Sequence, residues 1–141
     1  MFEGSLIALL AADSDLQTLL STFESAPAIF SRSAPQKAER PYIVFDINKN
    51  AVENLAAASF DINLDIYHRQ ESAKSVREIA ERIEFVCDRT LIKTDPRFDT
   101  IRLYYEDGDE IENTDVKIMH YVVRLSARAG RKKWIEEEVT R

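Results

Sequence analysis

The sequence predicts an α+β fold in which a four-stranded, mainly antiparallel sheet forms a β-β-α-β-β core, with an N-terminal helix and a central helix on one face. Two observations carry this prediction. Apolar and polar residues alternate without a break from Ser59 to Tyr67, which is the period of a strand buried on one side only. Apolar residues then recur at three- and four-residue spacing from Val76 to Cys87, which is typical of an amphipathic helix. Two such one-sided elements bury their apolar sides together.

The N-terminal part of the chain predicts a helical segment and a long connection. Leucines and isoleucines recur at helical spacing between residues 3 and 20, with Ser5 as one candidate N-cap and Asp13 or Ser14 as another. The segment is therefore one kinked helix or two short ones. Residues 21–41 contain three prolines and little periodicity, which predicts an irregular connection.

The alternation of a strand and the three- and four-residue spacing of a helix also predict the remaining elements. The predicted strands are 41–47, 59–67, 100–106 and 116–127, and the predicted helix is 72–91 with Ser72 as its N-cap. Residues 48–58 are too long for a tight hairpin turn, so we expect a mobile arm or a short helical piece there. Residues 106–115 predict an acidic turn at a hairpin tip. Val116 and Ile118 fall out of phase with the fourth strand, which indicates a bulge or a twist.

Length and charge limit the possible functions. A chain of 141 residues with 45% apolar and 31% charged residues predicts one globular domain, here 1–128, followed by a charged tail at 129–141. The net charge of −6 argues against general affinity for nucleic acids, because phosphate binding needs a cationic surface. No apolar run approaches the roughly 20 residues that span a bilayer, so we expect no membrane association.

The sequence contains few candidates for catalytic chemistry. The single cysteine, Cys87, lies in the apolar stripe of the central helix, which favours a buried thiol over a reactive one. Asp61, Asp65 and His68 could together hold a divalent metal, as in a small nuclease, but a solvated strand face explains them more simply. The acidic turn lacks the spacing of a calcium loop, since Gly108 comes too early. We therefore expect no catalytic residue, no metal and no cofactor.

Charge asymmetry points instead to association between copies. Acidic residues cluster in 106–115, whereas basic residues and Trp134 follow the last strand. Opposite patches on one subunit suit head-to-tail contacts, which close into a ring if the rotation allows. The candidate interface residues are Asn50, Glu53, Leu55, Glu106, Asp107, Asp109, Glu110, Arg128, Arg131, Lys132, Lys133 and Trp134.

The order of elements resembles a known family. The chain has a helical SLIALLAADSDLQTLL, a stretch closing in APQKAERPYIVF, a SFDINLDIY strand, the helix SAKSVREIAERIEFVCD and a strand ending HYVVRLSARAG. Over residues 5–128 this resembles the tail-completion (tail-terminator or tail-to-head-joining) proteins of long-tailed bacteriophages and prophages. Two features depart from the family: the loop before Pro41 lacks a glycine, and the charged segment after Gly130 extends beyond the usual end.

The resemblance implies structural work without catalysis. Such proteins form a ring, commonly a hexamer, on the head-proximal end of the tail tube and offer a docking face to the head connector. The genome passes through the lumen without specific binding. The protein would thus be part of the virion tail or neck, assembled in the cytoplasm of a bacterial host. The alternatives are another neck protein (an adaptor or a stopper), a small metal-dependent nuclease, and a monomeric regulator with a deep apolar pocket.

Overall fold

The structure, a computed structural model, describes residues 2–54, 57–112 and 115–131; the side chains of residues 51–54 and 131 are not described. Its helices are α1 (Glu3–Ala11), α2 (Ser14–Leu19) and α3 (Ala73–Cys87), with a 3₁₀ turn at Gln70–Ser72 before α3. Its strands are β1 (Thr22–Phe23), β2 (Ala26–Pro27), β3 (Ile29–Ser31), β4 (Tyr42–Asn54), β5 (Ala57–Arg69), β6 (Leu91–Ile92), β7 (Phe98–Ile111) and β8 (Ile118–Arg131).

The strands form one curled six-stranded sheet and a small two-stranded one, so the predicted four-stranded α+β core is wrong. The large sheet has the order β3-β4-β5-β8-β7-β6, and strands predominate over helices in the described residues. The sheet is mixed, because β3 runs parallel to β4 while the other neighbouring pairs are antiparallel. The second sheet joins β1 to β2 in the region expected to be irregular.

The error has a physical cause. The edge strands β3 and β6 are three and two residues long, which is too short to show the alternation that identifies a strand. The long strands also continue through polar segments that have no apolar side. Residues 48–54 extend β4 and residues 106–111 extend β7, where we expected an arm and a turn. Leu91 belongs to β6, so the central helix ends at Cys87 instead of reaching residue 91.

The core lies between the sheet and the helices. In β5 the residues at even positions from 58 to 66, such as Ile62 and Leu64, are buried, and Ile79 and Ile83 of α3 are buried with them. Burying each such side chain stabilises the fold by about 1.5–3 kcal/mol relative to leaving it in water. Phe2, just before α1, closes one end of the core, where its ring meets Phe60 and Phe98 edge-on at centroid distances of 5.2 and 5.9 Å.

The N-terminal segment forms two helices, and Asp13 separates them. Asp13 is the N-cap of α2, where its carboxylate accepts a hydrogen bond from the Leu16 amide at 3.0 Å. Arg82 of α3 donates to the same carboxylate at 2.7 and 2.8 Å. Asp13 therefore both starts α2 and fixes it against α3. None of the described helices has the length and apolar composition that crossing a bilayer requires.

The central helix buries the single cysteine. Cys87 is fully buried at the end of α3, and burial raises the pKa of its thiol to about 12. The expectation of a buried thiol is confirmed. Ser72 occupies the N-cap position of α3, but its side chain makes no capping hydrogen bond, so the preceding 3₁₀ turn leads the chain into the helix.

Candidate assembly surface

One face of the sheet packs against the helices, and we call the opposite one the polar face. Its side chains come from alternate positions of the four long strands. Cross-strand partners on this face form rows that run through all four strands; one row is Val44, Asp65, Val122 and Asp109. The charged residues of this face in the described chain are Asp46, Asp61, Asp65, Glu106, Asp107, Asp109, Arg69, Arg102, Arg124 and Arg128. The face thus carries more carboxylates than guanidinium groups.

A row of aromatic rings crosses one end of the polar face. Phe23 meets Phe30 at 5.5 Å between ring centroids, Phe30 meets Tyr42 at 6.1 Å, and Tyr42 meets Tyr67 at 5.4 Å. Tyr67 stacks on the His120 ring at 4.4 Å with an interplanar angle of 21°. Aromatic contacts of this kind stabilise neighbouring strands beyond their area of burial. The row connects the short β1 and β3 to the long strands.

Hydrogen bonds across strands satisfy several charges of the polar face. His120 Nε2 lies 2.8 Å from Asp65 Oδ1, and Arg124 donates to Asp107 at 2.9 Å. Ser126 donates to Glu106 at 2.5 Å. Burial, followed by the nearby charge of Asp65, raises the pKa of Tyr67. The hydrogen bond from Arg124 to Asp107 raises the pKa of that guanidinium. These pairs couple β5, β8 and β7 through their side chains.

The structure distributes the candidate interface residues over both ends of the sheet. Glu106, Asp107, Asp109 and Glu110 are exposed along β7 and belong to a strand instead of the predicted turn. Asn50 and Arg128 are exposed near the opposite end. Glu53 lies in β4 and Arg131 ends β8, with only their backbone described; Leu55, Lys132, Lys133 and Trp134 lie outside the described residues. A role of these residues in assembly stays a prediction.

The three candidate metal ligands do not converge. Asp61 and Asp65 lie on the polar face, and Asp65 is bound to His120. His68 points to the helix side, where its Nε2 lies 3.2 Å from Ser75 Oγ and burial lowers the pKa of its imidazole. In residues 2–54, 57–112 and 115–131, no group of three or more His, Cys, Asp or Glu side chains could hold a metal ion.

A cleft of about 560 Å³ opens beside the aromatic row, lined by Arg40, Arg69, Glu39 and Tyr42 among others. Polar groups dominate its surface, unlike the deep apolar pocket expected of a monomeric regulator.

Sequence reasoning missed two features of the surface. The aromatic row was not identified, although Tyr42 and Tyr67 both fall on the polar side of their strands' alternation. Phe85 was missed as well. It lies outside the apolar stripe of α3, it is 73% exposed, and the Arg82 guanidinium lies 4.4 Å from its ring centroid. In both cases the signal was an aromatic residue at a position where the local period predicts a polar one.

Both edges of the sheet are only partly covered. The short β3 pairs with β4 at residues 43–45, and within the described chain residues 46–54 pair only with β5. We call residues 46–54 the β4 edge. On the other side, β6 pairs with β7 at residues 101–102, and the amides of Leu103 and Tyr105 donate to Thr90 O and Asp88 Oδ1, both at 2.9 Å. Residues 106–111, which we call the β7 edge, pair there only with β8.

Comparison with known proteins identifies a family and a fold. A family model described as "Tail completion protein gp17" matches residues 4–130. A solved chain from "Virion of native gene transfer agent (GTA) particle" is similar with a TM-score of 0.65 at 13% identity, over 87% of this chain and 90% of that one. A second solved chain has a TM-score of 0.62 at 9% identity, over 91% of this chain and 89% of its own. None of the curated proteins matches the sequence.

Proposed function

The chain belongs to the tail completion protein gp17 family, and from that premise we propose that it forms a ring on the head-proximal end of a phage tail tube and joins the tube to the head connector. The family match over residues 4–130 is the observation that carries this proposal. Membership already makes the protein a structural component of the phage tail. The ring, its site on the tube and its joining role are the proposed part.

The distribution of charge supports a head-to-tail ring. The acidic residues of β7 and the exposed Arg128 of β8 lie toward opposite ends of the sheet. A subunit with two different complementary surfaces makes heterologous contacts, which close when the rotation allows. In this proposal the contacts are made by the acidic strand and the basic C-terminal segment, together with Asn50, Glu53 and Leu55. A hexamer is the ring that the family resemblance implies. Trp134 is proposed as an aromatic anchor of the contact.

The polar face suits the lumen of such a ring. Its carboxylates outnumber its guanidinium groups, and Arg124 is already bound to Asp107. Binding to the DNA backbone depends on free cations that release counterions from the phosphates. A face with an excess of carboxylates forms few such contacts, so DNA would slide past it without being held. This role requires position and charge, and it requires no catalytic group.

Arrest of tube growth tests the proposal. The purified protein is added to tail tube protein during polymerisation, and the tubes are measured by electron microscopy. We expect shorter tubes with a disc of density at one end only, and we expect head connector protein to bind that end. Tubes of unchanged length with two bare ends would contradict capping. Binding to the connector with no effect on the tube would favour an adaptor instead.

A further inference from the structure

We infer that the subunits of the ring join through their backbones, with the β4 edge of one copy pairing antiparallel with the β7 edge of the next to make one continuous sheet. This inference rests on the proposed ring and names the contact that builds it. The occupant of each edge is a second copy of this chain. Four features of the described residues support it: unpaired strand edges, their direction, their stagger and their charge.

The edges need partners for their backbone groups. A strand edge presents a row of unpaired N–H and C=O groups, which makes it a template for another strand. The β4 edge covers nine residues (46–54) and the β7 edge covers six (106–111). Single-domain proteins usually protect such lengths with a helix or a loop. In the part of the chain that the structure describes, β3 and β6 protect only the other portion of each strand.

The directions of the two edges fit. β4, β5, β8 and β7 are each antiparallel to the next, so β4 and β7 run in opposite directions. A second copy placed beside the first by rotation about a ring axis therefore presents its β4 antiparallel to the first copy's β7. The helices of both copies then lie on the same side of the joined sheet, and the polar faces lie on the other.

The stagger of the edges gives a normal barrel geometry. Gly108 and Asp109 lie at the centre of the β7 edge. Following the paired residues through β8 and β5, they correspond to Phe45 and Val44 of β4. Because β4 has register shifts after Lys49, the centre of the β4 edge lies at the level of Lys49 and Phe60, four to five residues further along. An offset of four to six residues is about 13–20 Å at about 3.3 Å per residue, and four strands are about 19 Å wide. The resulting strand tilt is about 35–46°, close to the range of roughly 35–45° found in closed barrels.

The short edge strands β3 and β6 limit which residues of β4 and β7 can pair between copies, and so they set the register. Within one chain, Glu110 is level with Ile43 of β4 across the sheet. We place Glu110 opposite Lys49 of the neighbour's β4, which is six residues further along that strand. In that register the neighbour's Asn54 lies opposite Tyr105, whose amide already donates to Asp88 Oδ1, so the shared pairing covers residues 106–111 of β7 and ends at the neighbour's Glu53. The neighbour's β3, at residues 43–45 of β4, falls beyond Ile111, where β7 ends. The short strands and the Asp88 contact therefore limit the pairing to residues that have no other partner on that side in the described chain.

Charge complements this register. Lys49 is exposed and pairs in the sheet with Phe60, so its side chain lies on the helix side. Glu110 is exposed and pairs with Tyr121, which is also on the helix side. The two charged groups therefore emerge on the same face of the joined sheet. The acidic β7 edge also meets the end of the neighbour that carries Arg128.

Disulfide cross-linking of the ring tests the contact. The double variant Lys49→Cys with Glu110→Cys is oxidised and run on a denaturing gel. Because Cys87 is buried, the native cysteine contributes no cross-link. We expect a ladder of covalent multimers up to the ring size for the double variant, and single chains for each single variant. The control is Glu78→Cys with Glu110→Cys, and it should give no ladder, because Glu78 is exposed on α3 one turn before Arg82, on the side of the helix that faces α2 and not β7.

The outcomes separate this inference from the proposed function. Rings without a ladder would overturn strand pairing and leave the ring intact. Covalent dimers from a single variant would show symmetric edge contacts and would also overturn it. Absence of any ring in the unmodified protein would overturn the proposed function itself.

Charge exchange at the same contact gives an independent measurement. Lys49→Glu and Glu110→Lys should each raise the concentration needed for assembly, by up to about fivefold per contact, because an exposed ion pair becomes a repulsive one. The double exchange should restore assembly, and Glu78→Lys, on the side of α3 that faces α2, should leave it unchanged. Failure of the double exchange to restore assembly would contradict the pairing of Lys49 with Glu110.

Discussion

At the scale of single residues, Asp13 combines a helix cap with an ion pair. Asp13→Ala removes both interactions and should lower the free energy of unfolding, with the lost cap alone accounting for about 1 kcal/mol. Asp13→Asn keeps an oxygen that can cap α2 but loses the charge facing Arg82, so it should cost less. Urea denaturation of the three proteins measures the difference. Equal losses for the two variants would mean that the cap contributes nothing.

The same residue gives a pH dependence. The hydrogen bond from Arg82, then that from the Leu16 amide, hold the pKa of Asp13 below its ordinary value of 3.8, although partial burial opposes the shift. A carboxyl whose pKa is lower in the folded state stabilises the fold above its unfolded value, and this stabilisation is lost as the pH falls through the folded value. The advantage of the unmodified protein over Asp13→Asn should therefore be constant near pH 7 and shrink below about pH 4. An advantage that grew on acidification would contradict the assignment.

Cys87 provides a label for unfolding. Its thiol is fully buried and burial raises its pKa to about 12, so almost no thiolate is present at pH 8. We expect a thiol reagent to leave the native protein unmodified and to modify one thiol per chain after addition of denaturant. Rapid modification of the native protein would mean that α3 opens locally.

At the scale of elements, the sequence predicted strands and the central helix where one side is apolar. Ile62 and Leu64 alternate with polar residues, and Ile79 and Ile83 recur at helical spacing, so both periods were visible. It could not predict β3 or β6, because two or three residues show no period. It also could not predict the β4 and β7 edges, since these segments carry polar residues, such as Asn48 and Glu110, on both faces of the strand. Tertiary pairing with β5 and β8 holds these segments extended.

The two sides of α3 should differ in what they contribute. Ile83→Ala leaves a cavity in the core and should lower the free energy of unfolding by about 3 kcal/mol. Phe85→Ala removes a side chain that is 73% exposed, so it should change the free energy of unfolding by about 0.5 kcal/mol at most. Thermal or urea unfolding of both variants measures this contrast. A large loss from Phe85→Ala would show that the ring makes contacts beyond those of the described residues.

At the scale of the whole molecule, the candidate site could be predicted only in part. Charge asymmetry pointed to Glu106–Glu110 and to the basic residues that follow β8. It did not show that the acidic residues lie on the β7 edge, which pairs only with β8 in the described chain, nor that this edge lies diagonally opposite the β4 edge. That arrangement depends on strand order, and a residue's sequence position carries no information about which strand lies beside it.

The basic C-terminal segment should act through association rather than stability. Reversing Lys132 and Lys133 to glutamate should weaken assembly most at low salt, because exposed charges are screened over about 10 Å at 0.1 M ionic strength. The isolated chain should unfold at an unchanged temperature. Light scattering across a salt series measures the first effect, and thermal unfolding measures the second. An oligomer that is unchanged at low salt would exclude these lysines from the contact.

The central claim is that copies of this chain close into a ring. The most direct measurement is the mass of the purified protein by light scattering across a wide range of protein concentration. The account predicts that one closed oligomer, with a mass equal to a fixed multiple of the 16.2 kDa chain, replaces the single chain and then stops growing. A single chain at every concentration, or a mass that keeps rising as in an open filament, would contradict it.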